Sequence, residues 1–266
     1  MTSRNKIYLH TKNDTNTIQK KGLLKEVIEQ YDFEVVEDHQ NASIIVSVGT
    51  DGSFLQAVRK TGFRQDCLYA GISTTGSLSM YCDFLIDDLD AMAEAVLQDN
   101  IAVRKYPVME ISVNQNPSFY CLNEFTIRSN IIKAFELEVL IDQLHFETFR
   151  GDGMVISTPT GSSAYNKSLN GAVVDPFLPC IQVAEIASVN SNDFRTLGSS
   201  FILSGSRELE LKLHKDWNEY PSMSTDNEAL SIQHVQTVNI TLSDKVVKTV
   251  KLKNNSYWEK LRRLFL

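Results

Sequence analysis

The chain has 266 residues, 42% of them hydrophobic and 22% charged, a globular composition with room for one large domain or two modest ones, which excludes disordered and low-complexity classes. Its 26 Lys and Arg against 33 Asp and Glu give a formal net charge of -7, so the basic footprint of a nucleic-acid or anionic-membrane binder is missing and a phosphate-bearing ligand would need local groups. No run approaches the ~20 apolar residues of a membrane span, and the opening MTSRNKIYLHTKNDTN lacks a signal peptide's apolar stretch, so a cytoplasmic protein with neither a membrane nor a nucleic-acid partner is expected.

Ile7 to His10 reads as a short strand, and Leu23, Leu24, Val27, Ile28 and Tyr31 repeat at helical spacing. Phe33 to Val36 is a second strand. Ile44-Ile45-Val46-Ser47-Val48 is a continuous apolar run of the kind buried on both faces of a parallel sheet, followed at once by a Gly-containing turn and a helical pattern. Cys67 to Ile72 repeats the strand signal, and Asp87 is the expected cap of a helix through Ala91, Ala95, Val96 and Leu97. Strands alternating with helices predict a doubly wound α/β domain over 1–102. From Val103 the period becomes two: Met109, Ile111 and Val113, then Phe135, Leu137, Val139 and Ile141, then Leu209, Leu211 and Leu213, then Val238, Ile240 and Leu242. That predicts an antiparallel β domain over 103–250, interrupted by one helix from Ser162 to Val173. The basic, amphipathic tail 251–266 places Trp258, Leu261, Leu264 and Phe265 at near-helical spacing and is expected to dock its apolar side on the N-terminal domain. Cys67, Cys82, Cys121 and Cys180 form no CxxC pair and read as buried thiols. His10, His39, His145, His214 and His234 are scattered, so no dedicated metal site is expected.

Three segments carry polar chemistry. Gly49-Thr50-Asp51-Gly52-Ser53 lies between a buried strand and a helix start, where free N–H groups and the helix dipole favour an anion. A carboxylate there is repulsive to phosphate unless it ligates a divalent ion or accepts a proton from an attacking hydroxyl, and both exceptions describe phosphoryl transfer. Read by spacing alone, Asp51 serves equally as the cap of the next helix. Arg150-Gly151-Asp152-Gly153 precedes a stretch from Ser157 to Ser168 in which Ser157, Thr158, Thr160, Ser162, Ser163 and Ser168 crowd a Pro/Gly turn. That supplies more hydroxyls than one cap requires and suits a ligand rich in hydroxyls and phosphates, with Tyr165 as a stacking face. Asn123-Glu124 in the strand-like Cys121 to Ile127 can pair with an adenine edge and hold a ribose hydroxyl, although standing alone it reads more simply as an exposed strand end or turn. Asp226-Asn227-Glu228 reads as a turn between two strands.

In their chain order, Gly49 to Ser53, Thr75-Gly76, Asn123-Glu124, Arg150 to Gly153 and Thr158 to Ser168, the segments resemble the NAD kinase family over nearly the whole chain, nearest to its short Bacillus-type members, including their second paralogue. The resemblance implies a Rossmann-like N-terminal domain, a C-terminal β-sandwich, and transfer of a phosphoryl group from ATP or polyphosphate to the 2'-hydroxyl of the adenosine ribose of NAD. By position it implies Asp51 as the base or orienting carboxylate with Gly52 beside it, and Gly49, Thr50, Gly52 and Ser53 as the donor loop. Asn123 and Glu124 would hold the adenosine. Thr160, Ser163 and Ala164 would line the adenine pocket, with Tyr165, Asn166 and Ser168 adjoining. Arg150, Asp152 and Ala187 match positions toward the nicotinamide end, and Asn227 a further ligand contact. The family also implies Mg2+ or another divalent cation carried with ATP, and a homo-oligomer, dimer or tetramer.

Three departures stand out. Thr50 occupies the place of the family's second glycine, Ser53 and Ser163 replace threonines, and Ser77-Leu78-Ser79-Met80 follows Thr75-Gly76 where the family usually has Leu-Gly-Phe. An active enzyme of altered efficiency is expected. The alternatives are a catalytically silent NAD(P)-binding sensor and a lipid or sugar kinase with the same aspartate motif.

Overall fold

The computed structural model describes residues 6–11, 15–131, 133–213 and 221–266. His214 and the side chains of Leu23, Val96 and Leu97, all named above, lie outside the described residues. The chain forms two compact units, 1–106 with 246–266, and 107–245.

The first unit begins with β1 (Lys6–Thr11), α1 (Thr15–Gln30), β2 (Glu34–Val36), β3 (Ile44–Gly49), α2 (Asp51–Lys60), β4 (Leu68–Ser73), β5 (Phe84–Leu85) and α3 (Leu89–Leu97). The strands run parallel in the order β2-β1-β3-β4, with β5 against β4. The winding reverses between β1 and β3, so the carboxyl end of β3 opens at a topological switch point, the usual place for a ligand in such a sheet. Ile45, Val46 and Val48 of β3 are buried on both faces, as the apolar run predicts. Leu24 and Ile28 of α1 pack into the same core, whereas Tyr31 is exposed beyond the helix end. The third helix is capped one residue later than Asp87: Asp88 Oδ1 accepts the Ala91 N–H at 3.2 Å.

The chain leaves the first unit within β6 (Ile101–Val113) and continues through β7 (Phe119–Cys121), β8 (Glu124–Arg128), β9 (Phe135–Ile141), β10 (Leu144–Gly151), β11 (Gly153–Ser157), α4 (Tyr165–Ser168), β12 (Cys180–Ile186), β13 (Phe201–Ser204), β14 (Leu209–Leu213), β15 (Ser222–Thr225) and β16 (Glu228–Leu230). It returns within β17 (Thr237–Leu252) and ends in α5 (Tyr257–Phe265). In the second unit an antiparallel ladder β10-β9-β14-β17 and the β6-β7 hairpin provide one apolar face, and the sheet β13-β12-β11-β8-β15-β16 provides the other. Their alternate residues interdigitate in one core: Met109, Phe135, Leu137, Phe149, Leu211 and Ile240 from the first face, Phe125, Ile127, Met154, Ile156 and Val183 from the second. This is a β-sandwich, and the period-two positions named in the sequence are its inward rows, all buried except Ile141 and Leu242, which are half-buried at its margin.

The expected helix Ser162–Val173 is not one element. A 3-10 turn, Thr160–Ser163, gives way at Ala164 (φ -92, ψ -128) to the four-residue α4, and Asn170 at φ 58 ends the helical path before Gly171. Fully buried Asn166 ties this turn down through its side-chain amide, which donates to Ser162 O at 3.1 Å and Ala172 O at 3.4 Å. The tail is helical, but its buried side is Tyr257, Lys260 and Leu261, while Trp258, Leu264 and Phe265 are exposed. All four cysteines are free and buried.

Candidate active site

In the first unit the site is built at the β3–α2 junction. Gly49 leaves the strand at φ 151, and a side chain there would meet Ser53 Oγ at 2.4 Å, so only glycine lets the chain turn this tightly. Thr50 is the N-cap residue of α2, and Ser53 Oγ accepts its N–H at 3.3 Å. Asp51, the first helical residue, is therefore not needed as a cap. Its carboxylate instead accepts three hydrogen bonds from one loop: Ser79 Oγ to Oδ1 at 2.6 Å, Tyr81 N–H to Oδ1 at 2.8 Å and Met80 N–H to Oδ2 at 3.1 Å. Three donors fix both oxygens in position. Thr50 sits at φ -114, ψ 177, an extended conformation open to any residue, and its side chain is exposed, so the missing glycine costs the backbone nothing here.

In the second unit the polar motifs gather around the start of β8. Thr158 Oγ1 donates to Leu122 O at 2.6 Å and accepts the Gly161 N–H at 3.1 Å, while Thr158 N–H donates to Asn123 O at 2.9 Å. Gly161 packs so closely here that a Cβ would lie 2.0 Å from Asn123 O. Ser162 Oγ donates to Pro159 O at 2.6 Å and accepts the Val174 N–H at 2.8 Å, and Ser163 Oγ donates to Thr160 O at 3.3 Å. Much of the hydroxyl-rich motif thus builds its own turn. What remains buried without a hydrogen-bond partner among the described residues is Ser157 Oγ, Thr160 Oγ1, Asn166 Oδ1 and, at the head of β8, Glu124 Oε2. Glu124, Thr126, Arg128, Tyr165, Ser224 and Asn227 line a pocket of about 450 Å3, within the usual size of a small-molecule site.

Burial, and then the neighbouring Asp226 carboxylate, push the Glu124 carboxyl up to about 8, against the pull of the Tyr165 backbone N–H. At neutral pH Glu124 is mostly a protonated acid that can donate as well as accept. Asp226 is the residue the sequence reading passes over. In the β15–β16 turn, where Asp226 and Asn227 take φ 47 and 63, its buried carboxylate accepts Leu122 N–H at 2.8 Å and Asn123 N–H at 2.7 Å and so pins Asn123-Glu124. Asp-Asn is a good left-handed turn pair, which hides this second job from a sequence reading.

Arg150, Asp152 and Ala187 come together elsewhere. Asp152 N–H donates to Ile186 O at 2.9 Å, Val189 N–H donates to Arg150 O at 2.7 Å, and the Arg150 guanidinium lies 3.9 Å over the Phe194 ring. This cluster adjoins Gly153, at the opposite end of β11 from Ser157, about 13 Å along the strand. Ser168 is exposed on α4. Among the described residues no group of three or more His, Cys, Asp or Glu side chains is placed to hold a metal ion.

The family model described as ATP-NAD kinase C-terminal domain matches residues 122–252. Over 263 residues the chain is 56% identical to the NAD kinase 2 of Bacillus subtilis (strain 168) and to that of Geobacillus kaustophilus (strain HTA426), covering 99% of this chain and 98% of each relative. It is 55% identical to the NAD kinase 2 of Bacillus licheniformis over the full length of both chains. Among solved structures it is similar to the yeast NADH kinase complexed with NADH, with a TM-score of 0.80 and 18% identity over 98% of this chain and 87% of that one. It is similar also to an NAD kinase from Archaeoglobus fulgidus in complex with ATP, with a TM-score of 0.75 and 22% identity over 98% and 97%. At those identities the solved structures speak to the fold, here an α/β unit and a β-sandwich. With more than half its residues identical to curated relatives along essentially its whole length, the chain belongs to the NAD kinase family.

Proposed function

We propose that this protein is an NAD kinase that phosphorylates the 2'-hydroxyl of the adenosine ribose of NAD at the expense of ATP or polyphosphate. The observation that carries the chemistry is the Asp51 carboxylate, held by three donors at the first turn of α2. A ribose hydroxyl beside ionised phosphates is a poor nucleophile. Asp51 orients it and takes its proton as the hydroxyl oxygen bonds to the terminal phosphorus and the bridging P–O bond breaks, leaving ADP when ATP is the donor. Gly49, Thr50, Gly52 and Ser53 form the donor loop, where backbone N–H groups and the helix dipole meet phosphate.

The second unit supplies recognition. Asn123 and the protonated Glu124 hold the adenosine, supported by the pocket that Glu124 shares with Tyr165 and Asn227. Thr160, Ser163 and Ala164 line the base, with Asn166 as the strut of that turn and Ser168 on its outer face. Arg150, Asp152 and Ala187 take the nicotinamide end, supported by their clustering some 13 Å along β11, a spacing that suits a dinucleotide. Mg2+ or another divalent cation rides on the donor's phosphates and neutralises their charge, a reading supported by a donor loop of backbone amides and hydroxyls with one carboxylate.

The protein acts in the cytoplasm, in keeping with the lack of any helix among the described residues long and apolar enough to cross a membrane. It works as a homo-oligomer, a dimer or tetramer, a reading supported by Phe177 (90% exposed), Leu178 and Ile202 standing open at the β12–β13 edge of the sandwich. The test is NADP formation from NAD, ATP and Mg2+ by the wild type and by Asp51→Asn at equal folded yield. The wild type turns over, and the variant loses on the order of 10²- to 10⁴-fold in kcat. A wild type that binds NAD but makes no NADP with ATP or polyphosphate is a dinucleotide sensor instead.

A further inference from the structure

The C-terminal helix carries a lysine that the chemistry so far leaves unused. Lys260 is fully buried (0% exposed), and its ammonium donates to Met80 O at 2.8 Å and pairs with Asp83 Oδ2 at 2.6 Å. A capping box fixes the start of α5, with Ser256 Oγ accepting the Glu259 N–H at 3.2 Å and Glu259 Oε2 accepting the Ser256 N–H at 2.7 Å. Asn255 donates from its side-chain amide to the other Asp83 oxygen, and Arg104 donates to Asn255 O at 2.8 Å. A buried lysine costs several kcal/mol of desolvation, so a chain that needed only an apolar tail helix would do better with Leu or Met here.

What Lys260 grips explains its place. Met80 O and Tyr81 N–H belong to one peptide unit, and in a trans peptide they point in opposite directions. The ammonium therefore sits on one side of this peptide and the Asp51 carboxylate on the other, joined in series through Lys260 Nζ, Met80 O, Tyr81 N–H and Asp51 Oδ1. A cation on the carbonyl polarises the peptide and strengthens its N–H as a donor. Tyr81 is fixed in turn by stacking on Phe54 of α2, with centroids 4.9 Å apart and planes 1° from parallel.

We propose that Lys260 is a positioning residue for phosphoryl transfer, acting through the Met80–Tyr81 peptide to orient Asp51. This rests on the reading of Asp51 as the carboxylate that receives the hydroxyl proton. The titratable and charged groups around this path include Cys82, Asp83, Arg104, Tyr106, Lys251 and Lys260 itself. The Cys82 thiol is pushed up to about 12, chiefly by burial, and stays neutral over the working range. Burial pulls the Lys260 ammonium below the ordinary lysine value, the Asp83 carboxylate pushes it back up by charge and hydrogen bond, and Arg104 lowers it again.

The test compares wild type, Asp51→Asn, Lys260→Met, and Lys260→Met with Asp83→Asn. The double variant removes both members of the buried pair, so neither Lys260 nor Asp83 is left as a charge without its partner. At equal folded yield, the Lys260→Met and double variants lose about 10- to 100-fold in kcat while KM for NAD stays within about twofold. A double variant that folds, with the wild-type kcat and only a lowered Tm, overturns the proposal and leaves the kinase reading intact. If Asp51→Asn turns over like wild type, both fall.

Discussion

Replacing Glu124 by Gln isolates the buried carboxyl at the head of β8. Glu124 is 8% exposed, and its carboxyl is raised from the ordinary 4.5 to about 8 by burial first and Asp226 second. Between those values the folded chain keeps a proton that the unfolded chain has released, so the stability this group contributes is fully present below pH 4.5 and is lost as pH rises toward 8. At 1.36 kcal/mol per pH unit, the wild type sheds about 3 kcal/mol between pH 6 and pH 8.5 through this one group, an upper figure because Asp226 can relax. Gln is isosteric, carries no titrating proton, keeps an acceptor for the Tyr165 N–H and places an N–H donor where the protonated carboxyl has its O–H. Urea denaturation followed by circular dichroism, run at both pH values, therefore shows the variant gaining on the wild type by about 2 to 3 kcal/mol as pH rises. At pH 7 its KM for NAD stays within about threefold, since protonated Glu124 already acts as a neutral donor. Stability curves that run parallel from pH 6 to 8.5 would refute the raised carboxyl and with it the protonated hold on adenosine.

Two further substitutions test the scaffold. Gly161→Ala sets a methyl 2.0 Å from Asn123 O, so it should cost about 1–3 kcal/mol and raise KM for NAD more than KM for ATP; an unchanged thermal midpoint and KM would mean that the 158–161 turn does not fix Asn123. Thr50→Gly, which restores the usual family residue, should lower stability by only a few tenths of a kcal/mol, because Thr50 is already extended and exposed; calorimetry showing a gain above about 1 kcal/mol would reveal strain at Thr50.

Much of the site was legible because its residue types are costly in any other role. A glycine two positions before an aspartate, after a continuous apolar run, points to a ligand-binding junction and led to Asp51, and the structure holds that glycine at φ 151. The alternation from Met109 to Leu242 gave the sandwich because its rows face one core and must repeat every second residue. The hydroxyl motif was read less well, since Ser and Thr serve equally to bind a ligand and to tie a turn; Thr158 and Ser162 do the latter. The division of the chain, 106/107 and 245/246 rather than 102/103 and 250/251, falls inside β6 and β17, where no turn or change of composition marks it.

The local pattern by itself determined the α/β beginning and the β-sandwich and singled out Asp51, Asn123 and Glu124 as candidates, because periodicity, glycine and carboxylate chemistry act over a few positions. Only the tertiary structure decided what holds those residues in place. Asp51 is gripped by a loop 28 to 30 residues away, Asn123 is pinned by Asp226 across 103, and Met80 is held by Lys260 across 180. Such partners are backbone amides or single charged side chains, which leave no pattern in sequence and become recognisable only when folding removes the water they would otherwise bind.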